Sequence, residues 1–186
     1  MTTAPHHVER PLAAGLLLAL TSVFFGFALG GAFGAVESRI KGRLERSGAA
    51  VLDTVYKGDV AAKDAVVKKS WEYLQRAHLH GGAIGTAAAV AILALILLCP
   101  PRPLEKASAL AFGSGALLYS VFWLCAGLLA PGMGSTGQAK ESLSFMAIPG
   151  AGLCLAGLLG TIVCVAKATL CSPKSGSTTR STRFSA

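Results

Sequence analysis

The chain has 186 residues, 53% of them apolar and 14% charged, with a formal net charge of +8. Soluble globular chains carry roughly 25% charged residues, so this composition excludes an ordinary water-exposed surface. The mean hydropathy of +0.58 is concentrated in four runs without a charged residue, each close to or above the ~20 residues that cross a bilayer core of about 30 Å.

These runs must be helices, because lipid offers backbone N–H and C=O groups no partner and no strand alternation that could close a barrel is present. The expected fold is all-α: a polytopic membrane protein with four transmembrane helices, the first two extended into a membrane-proximal helical hairpin. Residues 1–10 read as a polar N-terminal tail that includes His6 and His7. Residues 11–36 form the first span, bracketed by Arg10 and Glu37. Ala32, Phe33 and Gly34 imitate a leader-cleavage site, but the apolar run exceeds the roughly 7 to 15 residues of a signal core, so we read it as a span. A cleaved leader would leave three. Helices associate in lipid through close backbone approach at small residues spaced four apart, and Ser22, Gly26, Gly30 and Gly34 form the longest such ridge.

Residues 37–80 are the only long polar stretch. Phe33, Val36, Ile40, Leu44, Val51 and Val55, then Val60, Val67, Trp71, Leu74 and His78, keep helical spacing on two antiparallel seams. Gly58 followed by Asp59 supplies a helix-ending residue and an N-cap acceptor, which places the turn at Tyr56 to Asp59. Each arm of about twenty residues would project roughly 30 Å. Glu72 and Arg76 stand four apart as a surface ion pair.

Residues 81–99 form the second span, ended by Cys99, Pro100 and Pro101, with Gly81, Gly85 and Ala89 in its small-residue row. Residues 107–130 form the third, closed by Pro131 and Gly132, with Ala109 and Gly113 in a row and Tyr119 and Trp123 on one surface. Residues 142–166 form the fourth, carrying Gly152, Ala156 and Gly160, and Pro149 should kink it. Residues 167–186 read as a basic, flexible C-terminal tail, rich in Ser and Thr.

The positive charges flank spans and form no basic domain with an aromatic platform, so nucleic acid is not an expected partner. Arg39, Lys41, Arg43 and Arg46 directly follow the first span and favour a cytoplasmic hairpin. The five cysteines include no CxxC pair and do not read as a disulfide framework: Cys125, Cys154 and Cys164 lie inside spans as small packing residues, and Cys99 and Cys171 fall near one membrane face, where palmitoylation is an alternative.

No HExxH, GxSxG or phosphate-loop pattern is present. Four spans bring Glu37, Arg76, His78, His80 and Glu141 to one membrane face, so His78, His80, Glu37 and Glu141 are the candidate metal ligands or proton relay. Geometry limits that set: His78 and His80 point about 200° apart on a helix. Haem would need a second axial histidine inside a span, and none is there. No cofactor is expected, with metal or haem as the alternative.

The expected function is therefore non-enzymatic, that of an accessory, assembly or scaffolding component in the lipid bilayer. It would join a second copy or a larger membrane complex through helix 1 and the hairpin. A metal- or haem-binding redox or proton-handling component is the first alternative and a small transporter or channel the second, the latter with only Thr21, Ser22, Ser114, Ser120 and Thr161 as intramembrane hydroxyls.

Overall fold

A computed structural model describes residues 8–170, and within them every regular element is helical: α1 (Arg10–Ala49), α2 (Val60–Leu98), α3 (Pro103–Met133), α4 (Thr136–Ser142) and α5 (Ser144–Leu170). Four of these, α1, α2, α3 and α5, are long and apolar enough to cross a membrane. His6, His7, Cys171 and the tail beyond it lie outside the described residues.

Local chemistry explains most of the boundaries. Pro residues open α1 and α3, where a missing N–H costs nothing. The side chain of Asp59 accepts from the Ala62 N–H at 2.9 Å and starts α2. That helix stops at Leu98 because Pro100 disfavours helical backbone at Cys99. Val36, at the end of the uncharged run, departs from helical geometry (φ −139°, ψ 29°), so α1 bends where it leaves the apolar zone.

Three boundaries differ from the sequence-based expectation. First, α1 ends at Ala49, and the turn occupies residues 50–59 rather than Tyr56 to Asp59 alone. Lys57 and Gly58 both take positive φ there, so Val51 and Val55 do not extend the outgoing seam. Second, α3 passes through Pro131 and is stopped by Gly134 in the left-handed conformation, φ 72°. Third, the helix that carries the expected fourth span begins at Ser144 and runs on to Leu170, so Lys167 is helical rather than part of a tail, and α4 precedes it as a separate short helix.

The hairpin also does not stand clear of the bundle. The Tyr56 hydroxyl, in the turn, donates to the Pro131 carbonyl at 2.8 Å, and a side-chain carbon at Gly134 would strike Val55. The C-terminal end of α3 therefore accompanies the hairpin to its tip, which shortens the free projection that two arms alone would make. Leu44, Val67 and Leu74 form the core of that region, with Phe33, Ile40, Trp71 and Leu124 packed around them.

Helix α3 is the centre of the bundle, since it packs extensively against each of α1, α2 and α5, whereas α2 meets α5 only lightly and α1 and α5 do not meet. Small residues let the backbones close up. Gly26 lies against Gly81 and Gly82, Gly85 against Ala19 and Val23, Gly113 against Gly15, and Gly157 against Phe112. Interior hydroxyls are satisfied without a polar partner chain: Ser120 bonds the Ala116 carbonyl at 2.7 Å and Thr161 the Gly157 carbonyl at 2.9 Å, each one turn back. Ser22 instead crosses to the Gly81 carbonyl at 3.3 Å, tying α1 to α2.

The rows of small residues are used unevenly. Ser22, Gly26, Gly81, Gly85, Ala89, Ala109 and Gly113 are buried between helices, and Gly30 lies under the His78 ring. Gly34 and Gly152 face open space and Ala156 is exposed, so these three are not buried between helices within the chain; Gly160 is packed against the Ser108 side chain of α3, with Leu104 at the edge of contact. The inward face of α5 is instead Gly150, Gly157, Thr161 and Cys164. Two small-residue rows exist on that helix, and the bulky Leu155 and Leu159 share the side of Gly152 and Ala156 and face outward.

Candidate functional site

The four residues expected to converge lie at the same end of the bundle but do not assemble. The Nδ1 atom of His78 bonds the Gly26 carbonyl at 2.7 Å, and its ring occupies the space left by Gly30 and meets the Phe33 ring edge at 6.0 Å. His80 bonds the Arg76 carbonyl at 2.8 Å and turns its ring towards Tyr119, 5.4 Å away. One histidine thus faces α1 and the other α3. A carbonyl only accepts, so each Nδ1 carries a hydrogen, and in a neutral ring Nε2 would hold the lone pair. That is a ligand-competent tautomer, yet among the described residues no three His, Cys, Asp or Glu side chains gather where a metal could bind.

Glu37 is held by Lys41 one turn on, at 2.5 Å, and both side chains are half exposed. Glu141 is exposed on α4 and lines a groove with Tyr119 and Trp123. The expected Glu72 to Arg76 pair is replaced by Glu72 with Lys69 at 2.6 Å. That hydrogen bond holds the Glu72 carboxyl below its ordinary range and leaves the Arg76 side chain to another partner.

That partner is aromatic. The Arg76 guanidinium lies 5.0 Å from the centre of the Trp123 ring and 5.5 Å from that of Tyr73. Tyr73 and Trp123 meet edge to face at 5.0 Å, and Trp123 also packs on Phe122 at 5.1 Å. Lys140, brought in by α4, stands 5.9 Å from the Tyr73 ring. A cation over such a ring gains about 0.5–2 kcal/mol, more as water is excluded. Trp123 is 8% exposed, and its indole nitrogen has no hydrogen-bond partner.

This aromatic and cationic cluster, Tyr73, Arg76, His80, Tyr119, Trp123 and Lys140, is the most concentrated chemistry at that end of the bundle, and reading the sequence for metal ligands overlooked it. Its signal was present. Tyr73, Arg76 and His80 recur at three and four residues, and Tyr119 and Trp123 at four, so each set shares a helix face. The short α4 that delivers Lys140 was also marked, since the Ser135 side chain accepts from the Gln138 N–H at 3.3 Å, a cap followed three residues later by Gln.

A second buried group lies at the opposite end. Glu105 sits in the first turn of α3 with 7% exposure, and its Oε2 has no partner. Comparison with known protein families, curated proteins and solved structures finds no match for the chain.

Proposed function

We propose that this is a non-enzymatic multi-pass membrane protein, an accessory, assembly or scaffolding component that works through helix–helix contacts, with its hairpin in the cytoplasm and a second copy as its first partner. The observation that carries the reading is the outward side of α1. Leu17, Leu20, Phe24 and Phe27 are 50–73% exposed there, and the same side continues to Gly31 and Gly34, where an added side-chain carbon would meet nothing within 4 Å. Lipid alone has no use for two glycines in a helix, which cost about 1 kcal/mol each relative to alanine. A second helix does, because glycine lets it approach closely. The Ser22, Gly26 and Gly30 part of the ridge is consumed inside the chain, so the surface left for association is the next side of the same helix.

Support for the alternatives is weaker. The histidines that would ligate metal or haem are engaged separately, on Gly26 and Arg76. The hydroxyls that would line a transport path bond back to helix carbonyls. Energy transfer between fluorescently labelled copies in lipid vesicles tests the proposal. Transfer should exceed that of a non-associating membrane protein at the same density and fall in a Gly31→Leu, Gly34→Leu variant that remains folded. Random-mixing transfer in both proteins would overturn it.

A further inference from the structure

We propose that Arg39, Arg43 and Arg46, on the outer side of α1 where it leaves the apolar zone, dock on the headgroup phosphates of anionic phospholipids. This rests on the membrane reading above and adds to it the class of lipid. The three residues are spaced four and three apart, so they share one side of the helix. All are exposed, whereas Leu44 and Gly48 of the same stretch are buried against the hairpin.

The stripe is uncompensated. Among the described residues none of the three arginines is paired with a carboxylate. Acids stand on the same helix but are held elsewhere, Glu37 by Lys41 at 2.5 Å and Glu45 by Lys63 at 3.0 Å. One turn away from each arginine, the only charged neighbour is another arginine, and like charges at that spacing destabilise a helix. Membrane orientation depends on the number of positive residues near a span end, and it does not require them unpaired in a line on one side. Phosphates set against that line remove the repulsion, because a planar guanidinium grips a phosphate through two parallel N–H donors.

Height above the bilayer selects a lipid as the source of those phosphates. The uncharged run of α1 ends at Val36. At 1.5 Å per residue, Arg39, Arg43 and Arg46 leave the helix about 5, 10 and 15 Å beyond it. Helical side chains lean back towards the N-terminus, here towards the bilayer. Arg46 does so visibly: its Nη1 lies 3.4 Å from the place a side-chain carbon at Gly42 would take, one turn nearer the bilayer. The first two guanidiniums therefore fall within a headgroup layer about 5–8 Å deep, and the third at its outer edge. A phosphatidylcholine phosphate brings its own cation, so three adjacent arginines favour a lipid of net negative charge, as in the anionic cytoplasmic leaflet.

The test uses the full chain in phosphatidylcholine vesicles with a trace of spin-labelled phosphatidylglycerol or spin-labelled phosphatidylcholine, and electron spin resonance counts the label immobilised at the protein. Phosphatidylglycerol should be held preferentially, and added salt should erode that preference. A basic side chain near the membrane surface is worth about fivefold in anionic-lipid affinity. Arg43→Gln should therefore lower the preference about fivefold, and the Arg39→Gln, Arg43→Gln, Arg46→Gln triple variant should erase it. Arg102, exposed just before α3 at the other end of the bundle, is the control for a charge beside a span without the stripe, and Arg102→Gln should leave most of the preference. Equal immobilisation of the two lipids by the parent protein would overturn the proposal and turn the stripe over to an acidic segment of another protein. Equal losses in Arg43→Gln and Arg102→Gln would overturn the stripe as the cause. If neither label is immobilised, the membrane reading itself falls.

Discussion

Replacing Gly26 with alanine tests how tightly α1 and α2 are joined. A side-chain carbon at this position would lie 2.4 Å from the Gly82 nitrogen, 2.9 Å from the Gly81 carbonyl carbon and 3.0 Å from the Gly82 Cα. All three obstacles are backbone atoms of a helix, so none can rotate aside. Restoring ordinary contact at 3.4 Å requires the helices to separate by about 1 Å. The Ser22 to Gly81 hydrogen bond, already 3.3 Å long, would then break. Overpacking costs about 1–3 kcal/mol and an interhelical hydrogen bond in lipid about 0.6 kcal/mol, while alanine regains about 0.8–1 kcal/mol of helix propensity. The net loss is about 1–3 kcal/mol. Gly34→Ala meets nothing and should gain about 0.5–1 kcal/mol. The two variants should therefore differ by about 1.5–4 kcal/mol, at least roughly tenfold in the unfolding equilibrium. Denaturing-detergent titrations followed by near-ultraviolet circular dichroism, at dilutions that keep copies apart, measure both. A Gly26→Ala protein as stable as the parent, or a Gly34→Ala protein as damaged as Gly26→Ala, would refute the packing argument.

Other consequences concern the turn, the buried acid and the histidines. Burial of Tyr56 raises its phenol above the ordinary 10.0. Its contribution to stability is therefore complete below pH 10.0 and is lost as the pH rises through the higher folded value; the ultraviolet difference between the parent and Tyr56→Phe should show one phenol ionising late, and its loss should speed proteolysis in the turn. Glu105→Met removes a buried carboxylate with an unpartnered oxygen and should raise stability by about 1 kcal/mol or more, read from the same detergent titration. His78→Ala vacates the space over Gly30 and should cost about 2–3 kcal/mol as a cavity, whereas His78→Phe refills much of it; equal damage from both would assign the role to the Nδ1 bond instead.

What could be read from the sequence divides along physical lines. The four long helices were legible because a run such as residues 107–130 has no charge to place in water, and hydrocarbon leaves its backbone one solution. The start of α2 was legible because Asp59 is a local cap whose acceptor and donor are three residues apart. Tertiary choices were not. On α5 both the Gly152 row and the Gly150 to Gly157 face are small enough to pack, and the α3 residues that fill the space beside them, Tyr119 at Gly150 and Phe112 at Gly157, decide between them. The end of α3 misled for a similar reason: Pro131 reads as a stop, but its backbone carbonyl is held by a tyrosine 75 residues earlier. The separation of the histidines onto two faces follows from the helix period. Their real neighbours, the Gly26 carbonyl and the Tyr119 ring, are long-range contacts that a single sequence does not display.

The orientation of the bundle in a membrane is tested most directly by labelling single cysteines at Ala49, Gln138 and Arg102, in a background with the native cysteines replaced, using a membrane-impermeant thiol reagent on sealed vesicles. All three positions are exposed. Ala49 closes α1 and Gln138 lies on α4, at the hairpin end, whereas Arg102 precedes α3 at the other end. Ala49 and Gln138 should label alike, and Arg102 should label only from the opposite side. Labelling of Ala49 and Gln138 from opposite sides, or of all three from one side, would contradict a bundle that crosses the bilayer four times.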